Sequence, residues 1–479
     1  MTNHEDTYES PLSGRYSGRA MKALWSAARK ARLWRRLWLW LAEAQQELGL
    51  QISDEQLAEL RAHTDDVDLD DIRTREGELR HDVMAHLHSY GALCPKARPI
   101  LHWGATSAFV QDNADQILIR DGLALVRHGL VNVVSALAEF AREWTRGPTL
   151  GYTHCQPAQP PTVGKRATLW LQDFVDDLIE IERVLECLPF RGAKGTTGTQ
   201  ASYLTLFEDD HDKVRRLDVL VTKKAGFRRN VDVCGQTLSR KQDARVAAAL
   251  SGIAQTAHKF GCDMRLLQHL GEIEEPFGES QIGSSAMAYK RNPMRSERMC
   301  ALARFALNSA ENAGYNAATQ WFERTLDDSA NRRLFMPELF LTIDGILQLV
   351  HSVSLGLVVH KKVIENRLKR EMPFLVTETL LMEAVKSGGD RQDLHERIRV
   401  HCRAAADRLK EGAAENDLLE RLRADDAFAP VAPLLVDDPD PSLFVGRAPQ
   451  QVEEYLEGVV APLLADREEL LGGSPEVFV

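Results

Sequence analysis

The sequence predicts an all-α protein organised around a central bundle of five long helices. Apolar residues recur at three- and four-residue spacing through nearly every long segment. One of these patterns continues from Ala114 to Trp144 without a proline, and four polar stretches punctuate the set. Taken in order, Leu33, Leu37, Leu41, Ala44 and Leu48 set a stripe from Lys30 to Leu48. Trp34, Trp38 and Trp40 widen it, and Gly49 ends it. The acidic run Asp65 to Asp71 reads as a solvated loop or helix start. Ile117, Leu118, Leu125, Leu130, Val133, Val134, Leu137 and Phe140 carry the Ala114–Trp144 pattern, about 45 Å of helix at roughly 1.5 Å per residue. Similar patterns run from about Val163 to Leu188, Thr237 to Leu270, Arg295 to Asn312 and Ser329 to Leu357. Five such helices make a bundle. Their apolar faces are broad enough to call for partner subunits to complete the burial. From His360, shorter helical patterns broken by Gly388-Gly389 and by Pro430, Pro433, Pro439 and Pro441 predict a smaller all-α part. The expected division is an N-terminal helical domain over 1–111, the long-helix bundle over 112–359 and a C-terminal helical domain over 360–479.

The chain has 59 lysines and arginines against 70 acidic residues, a net charge of -11. That balance argues against nucleic acid or an anionic membrane as the main partner. It leaves room for a small anionic substrate held by a few converging arginines. The seven cysteines contain no Cys-x-x-Cys and are odd in number. They read as reduced thiols of a cytoplasmic protein, not as a disulfide frame or a zinc site. Met1 to Asp6 is polar and acidic, unlike a presequence. The most apolar run, Ile343 to Val359, is interrupted by Asp344, Gln348, His351 and Ser352, so no membrane span is expected. Neither a Gly-x-Gly-x-x-Gly turn after a strand nor a Walker-type loop is present, and no cofactor is expected.

The polar stretches hold the candidate site residues. Arg80-His81-Asp82 precedes His86 and His88, but no carboxylate or cysteine completes a metal-ligand set. On residues alone it reads as a polar helix near a domain interface. Thr106 and Ser107 stand before the first long helix, where hydroxyls serve as N-caps and free N–H groups attract anions. His154 lies in Gly151-Tyr152-Thr153-His154-Cys155-Gln156-Pro157-Ala158-Gln159 and, taken alone, reads as a structural histidine on a rigid loop. The run from Trp321 to Arg333 reads as a helix start capped by Ser329, with acidic residues near the positive end of the dipole. Its arginines are unhelpful there unless an anion is nearby. The last segment is Gln281-Ile282-Gly283-Ser284-Ser285-Ala286-Met287-Ala288-Tyr289-Lys290-Arg291-Asn292-Pro293. It lacks helical or strand period and sets two hydroxyls beside Lys290 and Arg291, the positive surroundings a serine needs to lose its proton.

This last run resembles the signature loop of the fumarase/aspartase superfamily, Gly-Ser-Ser-x-Met-Pro-x-Lys-x-Asn, with Ala288 where the pattern has proline. Its continuation, Met294-Arg295-Ser296-Glu297-Arg298, narrows the resemblance to the adenylosuccinate lyase family. The resemblance extends over essentially the whole chain. It implies a three-domain, all-α fold that assembles as a homotetramer, with each site formed where three subunits meet. The implied reaction is β-elimination of fumarate from adenylosuccinate and from the succinyl-aminoimidazole-carboxamide ribotide, with no metal or cofactor. Residue by residue, it implies Ser284 as general base, with Ser285 as rival, His154 as general acid, and Lys290 as a donor to the developing aci-carboxylate. Substrate contacts are implied for Arg15, Tyr16, Arg80, His81, Asp82, Thr106, Ser107, Gln236, Arg298, Arg324, Ser329 and Arg333. Two other readings are a related lyase acting on argininosuccinate or fumarate, and a catalytically silent structural homologue. The Arg324–Arg333 string and Lys386-Ser387-Gly388-Gly389-Asp390-Arg391-Gln392 weigh against the first. The presence of Ser284, Lys290 and His154 weighs against the second.

Overall fold

The computed structural model describes residues 7–477, so the run Met1 to Asp6 lies outside it. Five long helices dominate, here numbered first to fifth: Ser107–Glu143, Val163–Cys187, Lys241–His269, Met294–Thr319 and Asp327–Leu355. Each packs against the next, and the fifth returns to the first, closing a ring. The shared core includes Phe109, Leu118, Val134, Phe174, Phe260, Met299 and Phe340. The tryptophan-rich helix Ala27–Glu47 lies against the first; Ser26 caps its start and Gly49, at φ 98°, follows its end. Two short antiparallel ladders complete the fold. One is the hairpin β1 (Gly151–Thr153) with β2 (Gln156–Ala158), and the other joins β3 (Ile273–Glu274) to β4 (Val358–Val359).

Helix positions follow the apolar period, whereas several ends differ from expectation. The first long helix starts at Ser107 because Asp112 and Asn113, which look like loop residues, are buried and bonded. Asp112 accepts from the Leu238 amide at 2.6 Å, and Asn113 exchanges two hydrogen bonds with Gly192. The fourth runs to Thr319, past Asn312, because its amides pair across to the fifth: Asn331 bridges Asn312 and Asn316 at 2.7 and 2.8 Å. Ser329 is not a cap. The fifth helix already begins at Asp327, and Ser329 sits inside its first turn. The C-terminal part also departs from expectation, with long helices Lys361–Lys386 and Arg391–Lys410. Pro373 is tolerated in the former, as Pro337 is in the fifth, because the carbonyls they release belong to exposed Lys369 and Arg333. Among the described residues, the first and the fifth helices are long and apolar enough to cross a membrane by length and composition alone. Most of each apolar window is buried inside the bundle, which accounts for its composition.

Charge, too, is buried in this bundle. Arg332 on the fifth helix is 7% exposed and reaches Asp243 on the third at 2.6 Å and Asp115 on the first at 3.0 Å. Arg240, 3% exposed, pairs with Asp112 at 3.2 Å and with Asp328. Burial opposes the Arg332 charge, yet Asp243, Asp115 and Asp112 outweigh it and hold its pKa above the ordinary value. Burial likewise pushes the Asp112 carboxyl up, but Arg240, Arg332 and Arg191 bring it below the usual range. Removing one member leaves buried charge uncompensated, which costs about 3–5 kcal/mol. Arg332→Ala is therefore expected to lower the unfolding free energy by that order, read as a lower urea midpoint. An unchanged midpoint in a urea titration would show that the network carries no stability.

Asp177 on the second helix has no such partner for its Oδ2. Burial pushes its carboxyl up to about 7, and Asp173 and Asp176 add to the shift, while Thr256 opposes it. A carboxyl with a raised folded pKa binds its proton more tightly folded than unfolded, so its contribution is full below the unfolded value. That contribution is lost as pH rises to about 7. Asp177→Asn is expected to raise the melting temperature more at pH 8 than at pH 5.5. Equal shifts at both pH values would exclude this titration.

Candidate active site

The sequence-predicted residues fall into separate groups on one chain. The first surrounds a cleft of about 220 Å³ at the start of the fifth helix, lined by Arg324, Ser329, Arg333, Lys30, Gln111 and Arg240 among others. Asp82 stands at its edge, where it accepts from Arg333 at 2.5 Å and from Gln111 at 3.2 Å. Burial raises the Asp82 carboxyl, but Arg333 and the Val83 amide prevail and hold it below the ordinary value. Asp82 opens the helix Asp82–Leu93, His81 caps it by accepting from the Met84 amide at 3.3 Å, and Arg80 is the left-handed residue before the turn. His86, by contrast, turns inward onto Trp34, 4.5 Å between ring centroids. Burial lowers its pKa to about 4. Unlike Arg332 and Arg240, Arg324 has a buried Nη1 without a hydrogen-bond partner. Guanidinium donors held this way in a cleft are prepared for an anion.

Gln236 lies alongside this wall, its amide bonded to the Glu323 carbonyl at 2.9 Å. Its own carbonyl is gripped by fully buried Arg191 at 2.6 Å. Gly235 permits the contact, since a Cβ there would lie 2.5 Å from the Glu323 oxygen. A second group joins Arg15, Tyr16 and Arg298, with the Arg298 guanidinium 5.9 Å from the Tyr16 ring centre. Burial lowers the Arg298 pKa, and nearby Arg15 adds to the effect. Thr106 occupies the cap position of the first long helix but makes no side-chain cap bond, and Ser107 is its first residue.

His154 is exposed on the two-residue turn of the β1–β2 hairpin. Both turn residues are left-handed, with φ of 51° at His154 and 60° at Cys155. Such turns favour Asn and Gly, so the residues here hold a strained conformation. The Ser284 loop is closed by a tight crossing: a Cβ on Gly283 would lie 2.1 Å from the Lys290 carbonyl oxygen. Asn292 donates to the Gly283 carbonyl at 2.8 Å. Within the loop, Ser284 Oγ accepts from the Met287 amide at 3.2 Å. Lys290 is exposed. The base of the loop is pinned by Glu275, 2% exposed, which accepts from the Arg295 and Ser296 amides at 2.9 and 2.8 Å and so caps the fourth helix.

Sequence reasoning passed over Lys30, Gln111 and Arg240 in the cleft and Arg191 and Glu275 behind the site, and it gave Gly283 no part in the crossing with Lys290. Acidic residues inside the apolar period of the first helix, Asp112 and Asp115, were a legible signal that cations would face them. Arg191 and Glu275 gave no such signal. His258, Cys262 and Cys300 also meet between the third and fourth helices, with a sulfur–imidazole distance of 3.4 Å for the first pair. Sequence spacing could not show this, since Cys300 comes from another helix. Gly283→Ala is expected to displace the Ser284 loop and cut turnover at least tenfold, since overpacking a tight contact costs about 1–3 kcal/mol. Turnover near the parent rate would show that the crossing is not needed.

Comparison with known proteins places the chain. Residues 10–306 match a family described as Lyase, and residues 373–455 match one described as Adenylosuccinate lyase C-terminus. An adenylosuccinate lyase of Saccharomyces cerevisiae is 51% identical over 455 residues, 94% of each chain. Those of Schizosaccharomyces pombe and Schistosoma mansoni are 47% and 46% identical, covering 96% and 99% of each chain. Among solved structures, a fumarate lyase from Mesorhizobium sp. BNC1 superposes with a TM-score of 0.81 at 25% identity. It covers 94% of this chain and 100% of that one. A 3-carboxy-cis,cis-muconate lactonizing enzyme from Pseudomonas putida shares the fold, with a TM-score of 0.79 at 19% identity over 96% of this chain and 99% of that one.

Proposed function

The chain belongs to the adenylosuccinate lyase family, and on that premise we propose how its residues release fumarate from adenylosuccinate and from the succinyl-aminoimidazole-carboxamide ribotide in purine biosynthesis. Ser284 removes the proton from the carbon beside a succinyl carboxylate. The electron pair develops into an aci-carboxylate, whose charge Lys290 and loop N–H groups stabilise. The carbon–nitrogen bond then breaks, and His154 gives the departing nitrogen its proton, leaving fumarate and AMP or the corresponding carboxamide ribotide. Neither step calls for a metal or a redox cofactor.

The observation that carries the binding side is the buried, unpartnered Nη1 of Arg324 beside Ser329 and Arg333. This is suited to a substrate that brings a phosphate and carboxylates. The remaining contacts are assigned to Arg15, Tyr16, Arg80, His81, Asp82, Thr106, Ser107, Gln236 and Arg298. We assign the assembly as a homotetramer with shared sites. Two features support it: the candidate groups stand apart on rigid elements, and exposed apolar side chains flank them. Phe305, Tyr315, Phe322 and Leu334 are 43%, 69%, 86% and 66% exposed along the fourth and fifth helices and the turn between them. The three-domain division at 111 and 359 is retained on family grounds, although the Ser107–Glu143 helix begins just ahead of its first boundary. A cytoplasmic setting agrees with seven unpaired cysteines.

Ser284→Ala and His154→Ala are each expected to lower kcat for fumarate release by ~10²–10⁴-fold with folding intact. Full turnover in either variant would remove that residue from its role. Mixing the two inactive proteins should restore activity, since a shared site could then combine an intact Ser284 with an intact His154 from different chains. Continued inactivity after subunit exchange would place both residues of a site on one chain.

A further inference from the structure

Glu272 is fully buried and takes no part in the chemistry described above. Its carboxylate lies where three elements meet. Oε1 accepts from the Tyr152 hydroxyl at 3.1 Å, and Tyr152 stands in β1, two residues before His154. Arg166, at the start of the second long helix, lies 3.9 Å from Oε2 and donates to the Leu150 carbonyl at 2.6 Å, just before β1. Arg367, on the Lys361–Lys386 helix, brings Nε to 3.0 Å from Oε1 and donates to the Leu270 carbonyl at 3.1 Å. The backbone is held as well, since the Glu272 carbonyl accepts from the His360 amide at 2.9 Å. Glu272 directly precedes β3, which leads into the Ser284 loop. Gln159, just after β2, adds a second tie to the Lys361–Lys386 helix through the Leu375 carbonyl at 3.1 Å and Glu378 at 2.5 Å.

A surface hairpin of three-residue strands has little cohesion of its own. Its turn is also strained at both residues. The aim of His154 must therefore come from what the strands are tied to. We propose that Glu272 is a positioning residue for His154, acting through Tyr152 and Arg166 to fix the hairpin against the root of the Ser284 loop. The inference rests on His154 being the general acid. Glu272 touches no reacting atom. Its Oε2 accepts no hydrogen bond, so the Tyr152 and arginine contacts define its orientation.

The test uses the full-length enzyme and fumarate release from adenylosuccinate. Tyr152→Phe removes one hydroxyl and keeps the ring. A small displacement of a catalytic group can cost about a hundredfold, so a loss in kcat of about tenfold or more is expected, with KM within about twofold. Melting temperature should hold. Glu272→Gln should show the same split, and Tyr152→Phe stands for it should that variant misfold. In a His154→Ala background, Tyr152→Phe should bring no further loss, because the residue being aimed is gone. Parental kcat in Tyr152→Phe, or an undiminished loss in the His154→Ala background, overturns the inference while leaving the acid assignment standing. Undiminished turnover in His154→Ala alone is a different result: it removes the acid assignment and the positioning role with it.

Discussion

The bundle depends on the pairing of two buried guanidiniums with carboxylates from three of its helices. Arg332 and Arg240 lie in the interior, and Asp112, Asp115, Asp243 and Asp328 converge on them. Apolar packing tolerates some sliding of one long helix along another, because neighbouring leucines are nearly interchangeable. A buried ion cannot slide without losing its partner. This network therefore sets the register of the first, third and fifth helices. Arg324, Ser329 and Arg333 stand at the start of the fifth, so the same register places the cleft wall.

Neutralisation separates scaffold from site. Arg332 and Arg333 are neighbours in sequence, yet the first faces three carboxylates in the core and the second is half exposed at the cleft with Asp82. Arg324 goes further, with a buried nitrogen that the protein leaves unpaired. Arg332 and Arg240 are neutralised in the core, whereas Arg324 keeps a buried donor unpaired beside the cleft, where an arriving anion can take it. This argument concerns charge and geometry alone. It supports the same substrate class that family membership supplies.

The fold was legible because the apolar period survives across helices of 25 to 37 residues. What escaped were ends at which polar residues pair across helices, as Asp112, Asn113 and Asn316 do. Ser329 looked like a cap because hydroxyls usually are, but the helix it follows had already begun. At the site, the loop and the arginine string could be picked out by their residues, with roles supplied by resemblance. Their supports could not. Nothing local distinguishes Glu272 and Glu275, which are buried, from Glu274, which is not. Gly283 likewise shows its purpose only when Lys290 folds back upon it.

Those glutamates explain how two mobile-looking segments hold their aim. Glu275 pins the Ser284 loop by capping the fourth helix, and Glu272 receives the hairpin that carries His154. Between them Glu274 sits in the β3–β4 ladder and faces His360 at 3.4 Å and Arg291 at 3.8 Å. One tetrapeptide, Glu272-Ile273-Glu274-Glu275, thus roots both segments, and Ile273, fully buried, seats it in the core. An elimination requires proton removal and proton delivery to be aimed independently. In the roles proposed for Ser284 and His154, the segment that carries each group is tied to its own buried carboxylate. The cost is two acids held away from water, each compensated by donors already committed to the backbone or to neighbouring helices.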